Sequence, residues 1–211
     1  MIMITRNEKE PGFEFSTKEK SIENGAMTGS FGTRITKTGT CYVNYLDTTL
    51  GCILEQQDKI WHLCRMIESS RQVHVFGFGR SGSAALSFAI RLRHFCDYLP
   101  AVWWMGDDVR QPVREQDLVI LFSGSGQRTE VELVAKSAID SGAVIVLITG
   151  DENSRIGQMA SLLIVLPKMK DQVCYGGGDF ELAAYFFQEL LVTIIGQHRE
   201  IPPGAVGKYH V

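Results

Sequence analysis

The chain has 211 residues, 45% of them apolar and 21% charged, with a formal charge of −3; that is enough for one α/β domain with a buried core and short for two. So mild an acidity offers nucleic acid no basic footprint, and any anion site has to be local. The five cysteines show no CxxC pair and no histidine at metal-ligand spacing, which leaves neither a metal site nor a disulfide framework and fits reduced thiols in a cytoplasm.

From the N-terminus, residues 1–40 are rich in Lys, Glu, Thr, Gly and Ser without a sustained period, the composition of a flexible or irregular arm. The stretch is too charged for a secretory signal, and no apolar run anywhere approaches the roughly 20 residues that cross a bilayer, so a cytoplasmic protein without a membrane partner is expected. From 43 to 70 the apolar residues Leu46, Leu50, Ile53, Leu54, Ile60, Trp61, Cys64 and Ile67 recur near helical spacing, which predicts one or two helices. Short apolar runs then predict strands over 73–77, 101–105, 118–122, 144–149 and 162–166, separated by helix-like segments at 82–96, 127–141, 153–160 and 179–198. Strands that are apolar throughout, not alternating, belong to a parallel sheet buried on both faces. The expected architecture is an α/β doubly wound sheet of five parallel strands flanked by helices, one domain over 41–199, with a tail over 200–211 begun by the breakers Pro202 and Pro203.

In such a sheet ligands bind beyond the carboxyl ends of the strands. After the first strand comes Gly77-Phe78-Gly79-Arg80-Ser81-Gly82. Its glycines match a dinucleotide fingerprint, but Asp107 and Asp108 lie 25 and 26 residues beyond Gly82, too far to be the acidic ribose partner that motif needs about 20 residues on. After the third strand comes Ser123-Gly124-Ser125-Gly126-Gln127-Arg128-Thr129. Two hydroxyls, two glycines that let backbone N–H groups turn inward, and a following helix N-terminus all favour a bound anion. The plain alternative is a Ser/Gly turn capping a helix. The Walker spacing is absent, so a nucleoside triphosphate is not expected.

Taken in order, strand–GFGRSG–helix, strand–SGSG–helix and a late helix opening Gly178-Asp179-Phe180-Glu181 resemble the sugar isomerase (SIS) domain family, most closely its 6-phospho-3-hexuloisomerase group. That group usually reads GAGRSG, then RLMH where Arg91-Leu92-Arg93-His94 stands here, then GDTTTP or GETTTP where this chain has GDDVRQP, and GTLFE or GSLFE where it has GGDFE. The resemblance spans about 43–198. It departs at SGSGET, where Gln127 and Arg128 replace the acid and the threonine, and Thr129 follows one place later.

The resemblance implies a flavodoxin-like sandwich without nucleotide or other cofactor. It implies an aldose–ketose type isomerisation of a sugar phosphate through a metal-free enediol(ate), most closely between 3-hexulose 6-phosphate and fructose 6-phosphate, by a homotetramer or homodimer. Glu181 is the expected base, its plain alternative being a first-turn helix glutamate. His94 is the expected acid or polarising group, its alternative a helix cap or a packed residue. Ser123, Gly124, Ser125, Gly126, Gln127, Arg128 and Thr129 are assigned to the phosphate, Arg80 and Ser81 to the sugar hydroxyls or phosphate edge. Tyr175 and the three glycines after it read either as a connection that closes over substrate or as a plain linker. Another sugar-phosphate isomerase of the same fold, or a phosphosugar sensor without catalysis, are the alternatives; the arm is too short and unpatterned to supply a sensor's DNA-binding unit.

Overall fold

The computed structural model describes residues 24–108, 110–170 and 177–206. Packing divides the chain into Met1–Gly39 and Thr40–Val211, and the domain described below is the second of these. Five strands, β1 Val73–Gly77, β2 Val102–Trp104, β3 Leu118–Ser123, β4 Val144–Thr149 and β5 Leu162–Val165, form one sheet in the order β2-β1-β3-β4-β5. Every pairing is parallel.

The apolar runs become strands because both faces of the sheet are covered. Along β3, Leu118, Ile120 and Phe122 join one core with α2 (Gln57–Ser69), α3 (Gly79–Arg93) and α5 (Asp179–His198), while Val119 and Leu121 join the other with α4 (Thr129–Asp140). Two-residue periodicity thus sends alternate side chains into two cores, and no strand residue has to be polar. The chain leaves β1 towards β2 on one side and reaches β3 on the other, so strand order reverses between β1 and β3. Loops after these two strands diverge there and open a crevice.

The 43–70 segment is two helices, α1 (Asn24–Glu55) and α2, broken at Gln56. The break is used. Gln56 turns its amide onto the edge strand, Nε2 donating to the Val165 carbonyl at 2.7 Å and Oε1 accepting its N–H at 3.0 Å, which covers an edge that would otherwise template another strand.

Two expectations are corrected. Residues 24–40, read as irregular, are helical as the first half of α1: once the amphipathic part that buries Tyr45, Thr49 and Ile53 is formed, extending a helix costs far less than starting one, even through glycines. Residues 1–23 of the expected arm lie outside the described residues. The helix expected over 153–160 is only a 3-10 turn, Gly157–Met159. Here Asp151 Oδ1 accepts the Asn153 N–H at 3.1 Å and Ser154 Oγ accepts that of Gly157 at 3.2 Å, local bonds that compete with helix.

At the opposite end of the sheet from the crevice lies a buried charge cluster. Asp117, fully buried ahead of β3, accepts from Arg71 Nη2 at 2.7 Å and from the Arg114 N–H at 2.8 Å, and its Oδ2 lies 3.1 Å from His74 Nε2. Burial pushes the His74 imidazole below its ordinary pKa, against the pull of the Asp117 carboxylate. No helix among the described residues is long and apolar enough to cross a membrane.

Candidate functional site

The loops after β1 and β3 and the start of α5 enclose a cavity of about 240 Å³ lined by Arg80, Ser81, Ser123, Gly124, Ser125, Arg128 and Glu181, with apolar walls from Phe78, Phe122 and Phe180. Local backbone chemistry explains the convergence. A Cβ on Gly77 would meet the Ser81 carbonyl at 2.7 Å, and one on Gly82 would meet the Gly77 carbonyl at 2.8 Å, so only glycine at both positions lets α3 start directly against the strand end. Gly79 between them has φ +61°, a conformation that costs other residues.

Glu181, in the first turn of α5, points across to the start of α3. Ser81 Oγ donates to its Oε1 at 2.9 Å and Arg80 Nε lies 3.7 Å from Oε2. Arg80 also donates to the Gly177 carbonyl. The carboxylate therefore sits between the N-termini of two helices, α3 and its own, both of which favour negative charge. Ser123 is 2% exposed and its hydroxyl has no hydrogen-bond partner among the described residues; a buried donor in that state is poised for a group that enters the cavity. Arg128 occupies the N-cap of α4 without a capping side-chain bond, its guanidinium 5.5 Å from the Phe78 ring centre. A cation at a helix N-terminus is unfavourable unless an anion sits beside it.

Other residues expected at the site do not line this cavity. Gly126, at φ +58°, donates its N–H to the Ser123 carbonyl at 3.0 Å and accepts from the Ile156 N–H at 3.2 Å, so it shapes the loop from behind. Gln127 is held by Arg155, whose Nη2 donates to its carbonyl at 2.8 Å and Nε to its Oε1 at 3.1 Å. Thr129 opens α4 but does not line the cavity. His94 is the C-cap of α3, the helix whose N-terminus meets the cavity; fifteen residues at about 1.5 Å each separate the two ends by roughly 20 Å. Asp107 pairs with Arg93 Nη2 at 2.9 Å and Arg110 donates to the Met105 carbonyl, both away from the cavity. Tyr175 and Gly176 lie outside the described residues.

The three phenylalanine walls escaped the sequence reading because they carry no polar chemistry. Asp179 escaped it too. Burial pushes its carboxyl up, but backbone N–H groups of Met169, Gly178, Asp179 and Phe180 together outweigh that and hold it below its ordinary value.

Residues 66–194 match the family model described as SIS domain. The chain belongs to the SIS domain family. Among relatives of this SIS domain, a 3-hexulose-6-phosphate isomerase of Methanocaldococcus jannaschii is 30% identical over 74% of this chain and 84% of its own, and one of Bacillus subtilis is 38% identical over 50% of this chain and 56% of its own. A crystal structure of a hypothetical protein from Methanococcus jannaschii, from which a 3-hexulose-6-phosphate isomerase function was inferred, superposes with a TM-score of 0.73 at 26% identity, covering 82% of this chain and 96% of that one. The fold of this SIS domain is thus the one that the sequence resemblance implied.

Proposed function

We propose that this SIS domain interconverts 3-hexulose 6-phosphate and fructose 6-phosphate. The observation that carries the reading is the shared cavity: a carboxylate, Glu181, faces the hydroxyls of Ser123 and Ser125 and the N-terminus of α4 across about 240 Å³. Relatives bearing the name of that isomerase support the choice of substrate.

One substrate carries its carbonyl at C3 and the other at C2, so the exchange is between neighbouring ketones, not the aldose–ketose change expected from the sequence, and needs no change at the chain end. In this reading the phosphate rests on Ser123, Ser125, the first N–H groups of α4 and Arg128, where hydrogen bonds and the helix dipole favour a dianion. Glu181 takes the proton from C2 of the hexulose and the C3 oxygen gains the charge; the C2 hydroxyl proton passes to that oxygen, and the Glu181 carboxyl returns its proton to C3 as the carbonyl forms at C2. Arg80 and Ser81, already against the carboxylate, are the nearest donors for the developing oxyanion. His94 has no step in it.

The test is proton exchange. Incubated with fructose 6-phosphate in deuterated water, the protein should replace the C3 hydrogen with deuterium, and Glu181→Gln should slow this by about 10²–10⁴-fold, the usual contribution of a positioned base. Saturable binding without exchange would make this a phosphosugar-binding domain instead. Exchange surviving in Glu181→Gln would remove Glu181 from the chemistry.

A further inference from the structure

A base has to be held as well as present, and the sequence around Glu181 does not say what holds it. The helix that carries it starts at Asp179 after a glycine N-cap that makes no side-chain capping bond. An uncapped first turn is the loosest part of a helix. The missing restraint comes from elsewhere. Tyr45, in α1 and 134 positions distant in sequence, is 4% exposed, and its hydroxyl lies 2.8 Å from the Pro167 carbonyl and 2.9 Å from the Asp179 carbonyl. Its single proton is shared between two acceptors, one just past β5 and one in the first turn of α5. Asp179 closes the same joint from the other direction: its Oδ2 accepts the Met169 N–H at 3.0 Å, and Oδ1 lies 3.4 Å from the Gly178 N–H. That carboxylate is held below its ordinary pKa by these backbone donors in spite of its burial, so it stays an acceptor throughout the neutral range.

We propose that Tyr45 and Asp179 are positioning residues for Glu181, pinning the first turn of α5 to the exit of β5 so that the carboxylate two residues on faces the cavity. The inference rests on the proposed function for its kinetic consequence, but the joint exists whatever the cavity binds. The leading helix, which by its pattern is only a packing element, thereby becomes part of the site's support. Neither residue touches the substrate's reacting atoms through these groups: the Tyr45 hydroxyl is committed to two carbonyls, and the Asp179 carboxylate to backbone N–H groups. Loss of one of these bonds frees the turn by a fraction of an ångström. Misplacement of a reacting group by 1 Å costs about 10²-fold in rate, so half that displacement corresponds to roughly tenfold.

The experiment uses the full chain and three variants: Tyr45→Phe, Asp179→Asn and Asp179→Ala. Two readouts are taken: deuterium exchange into fructose 6-phosphate, resolved into kcat and KM, and amide hydrogen exchange at Leu182, whose N–H donates to the Gly178 carbonyl at 3.1 Å. Tyr45→Phe should lower kcat about tenfold with KM changed less than about twofold, since the phosphate loop is untouched, and should speed amide exchange at Leu182. Asp179→Asn keeps an oxygen acceptor and should retain several-fold more activity than Asp179→Ala. A Tyr45→Phe variant with unchanged kcat and unchanged Leu182 protection overturns the proposal. So does an Asp179→Asn variant no better than Asp179→Ala, or a fall in kcat matched by an equal rise in KM, which places the damage in substrate binding as much as in the base. If the unaltered protein exchanges no deuterium, the functional reading fails; the positioning claim then stands or falls on Leu182 protection alone, faster in Tyr45→Phe or not.

Discussion

Adding one methyl group at Gly124 tests whether the phosphate loop and the base share a single packed unit. A Cβ there would lie 3.0, 3.1 and 3.3 Å from three atoms of Phe180, against a favourable carbon–carbon separation of about 3.5–4.0 Å. The loop cannot back away, because its Gly124 carbonyl already accepts the Gly150 N–H at 2.9 Å and faces Thr149 Oγ1 at 3.4 Å. The strain is therefore relieved through Phe180, by roughly half an ångström, and Glu181 is the next residue. Overpacking of this size costs about 1–3 kcal/mol, which in a chain of this length lowers Tm by roughly 2–12 °C. A half-ångström error in the base costs about tenfold in kcat, or about 1.4 kcal/mol of barrier. Thermal melts and deuterium exchange into fructose 6-phosphate measure both on one sample. In a Phe180→Ala background the two closest atoms, Cγ and Cδ1, are gone, and Gly124→Ala should cost much less Tm than it does in the unaltered protein, so that the two substitutions are strongly non-additive. A Gly124→Ala variant with unchanged kcat, or an equal Tm loss from Gly124→Ala with and without Phe180→Ala, refutes this packing.

Two further outcomes follow from the charges of Arg128 and His74. Arg128→Ala should weaken binding of inorganic phosphate several-fold by titration calorimetry while leaving the ligand-free protein as stable or more so, because the lost cation sits at a helix N-terminus; unchanged phosphate affinity would remove Arg128 from the anion site. For His74 the sign is set by burial: its folded pKa lies below the ordinary 6.5, so as pH falls through 6.5 the unfolded chain takes up a proton that the folded chain refuses, and stability declines until the lower folded pKa is reached. Chemical denaturation at several pH values should show that slope, at most about 1.4 kcal/mol per pH unit for one proton, and His74→Gln should flatten it; an equal slope in both proteins would contradict this.

The sequence by itself determined the elements and the edge where they converge. Runs such as Leu118–Ser123 and Val144–Thr149 are apolar at every position or nearly so, and only burial on two faces explains that, so parallel strands with covering helices could be read directly. The glycines after β1 and the serines after β3 were legible because close backbone approach and anion binding demand those residue types in any context. The distance of His94 was also within reach, since a helix begun at the GFGRSG loop carries it about 20 Å away by its own length.

Only the tertiary structure decided which loop residues face inward. Gly126 and Gln127 carry the same local signal as Ser123 and Ser125, and what separates them is Ile156 and Arg155, brought from beyond β4 to hold the back of the loop. The Tyr45 joint is invisible for the same reason. A side chain's partners at a sequence distance of 134 leave no periodicity and no spacing to read; they exist because a helix laid against the sheet happens to bring one hydroxyl to the turn where the base begins.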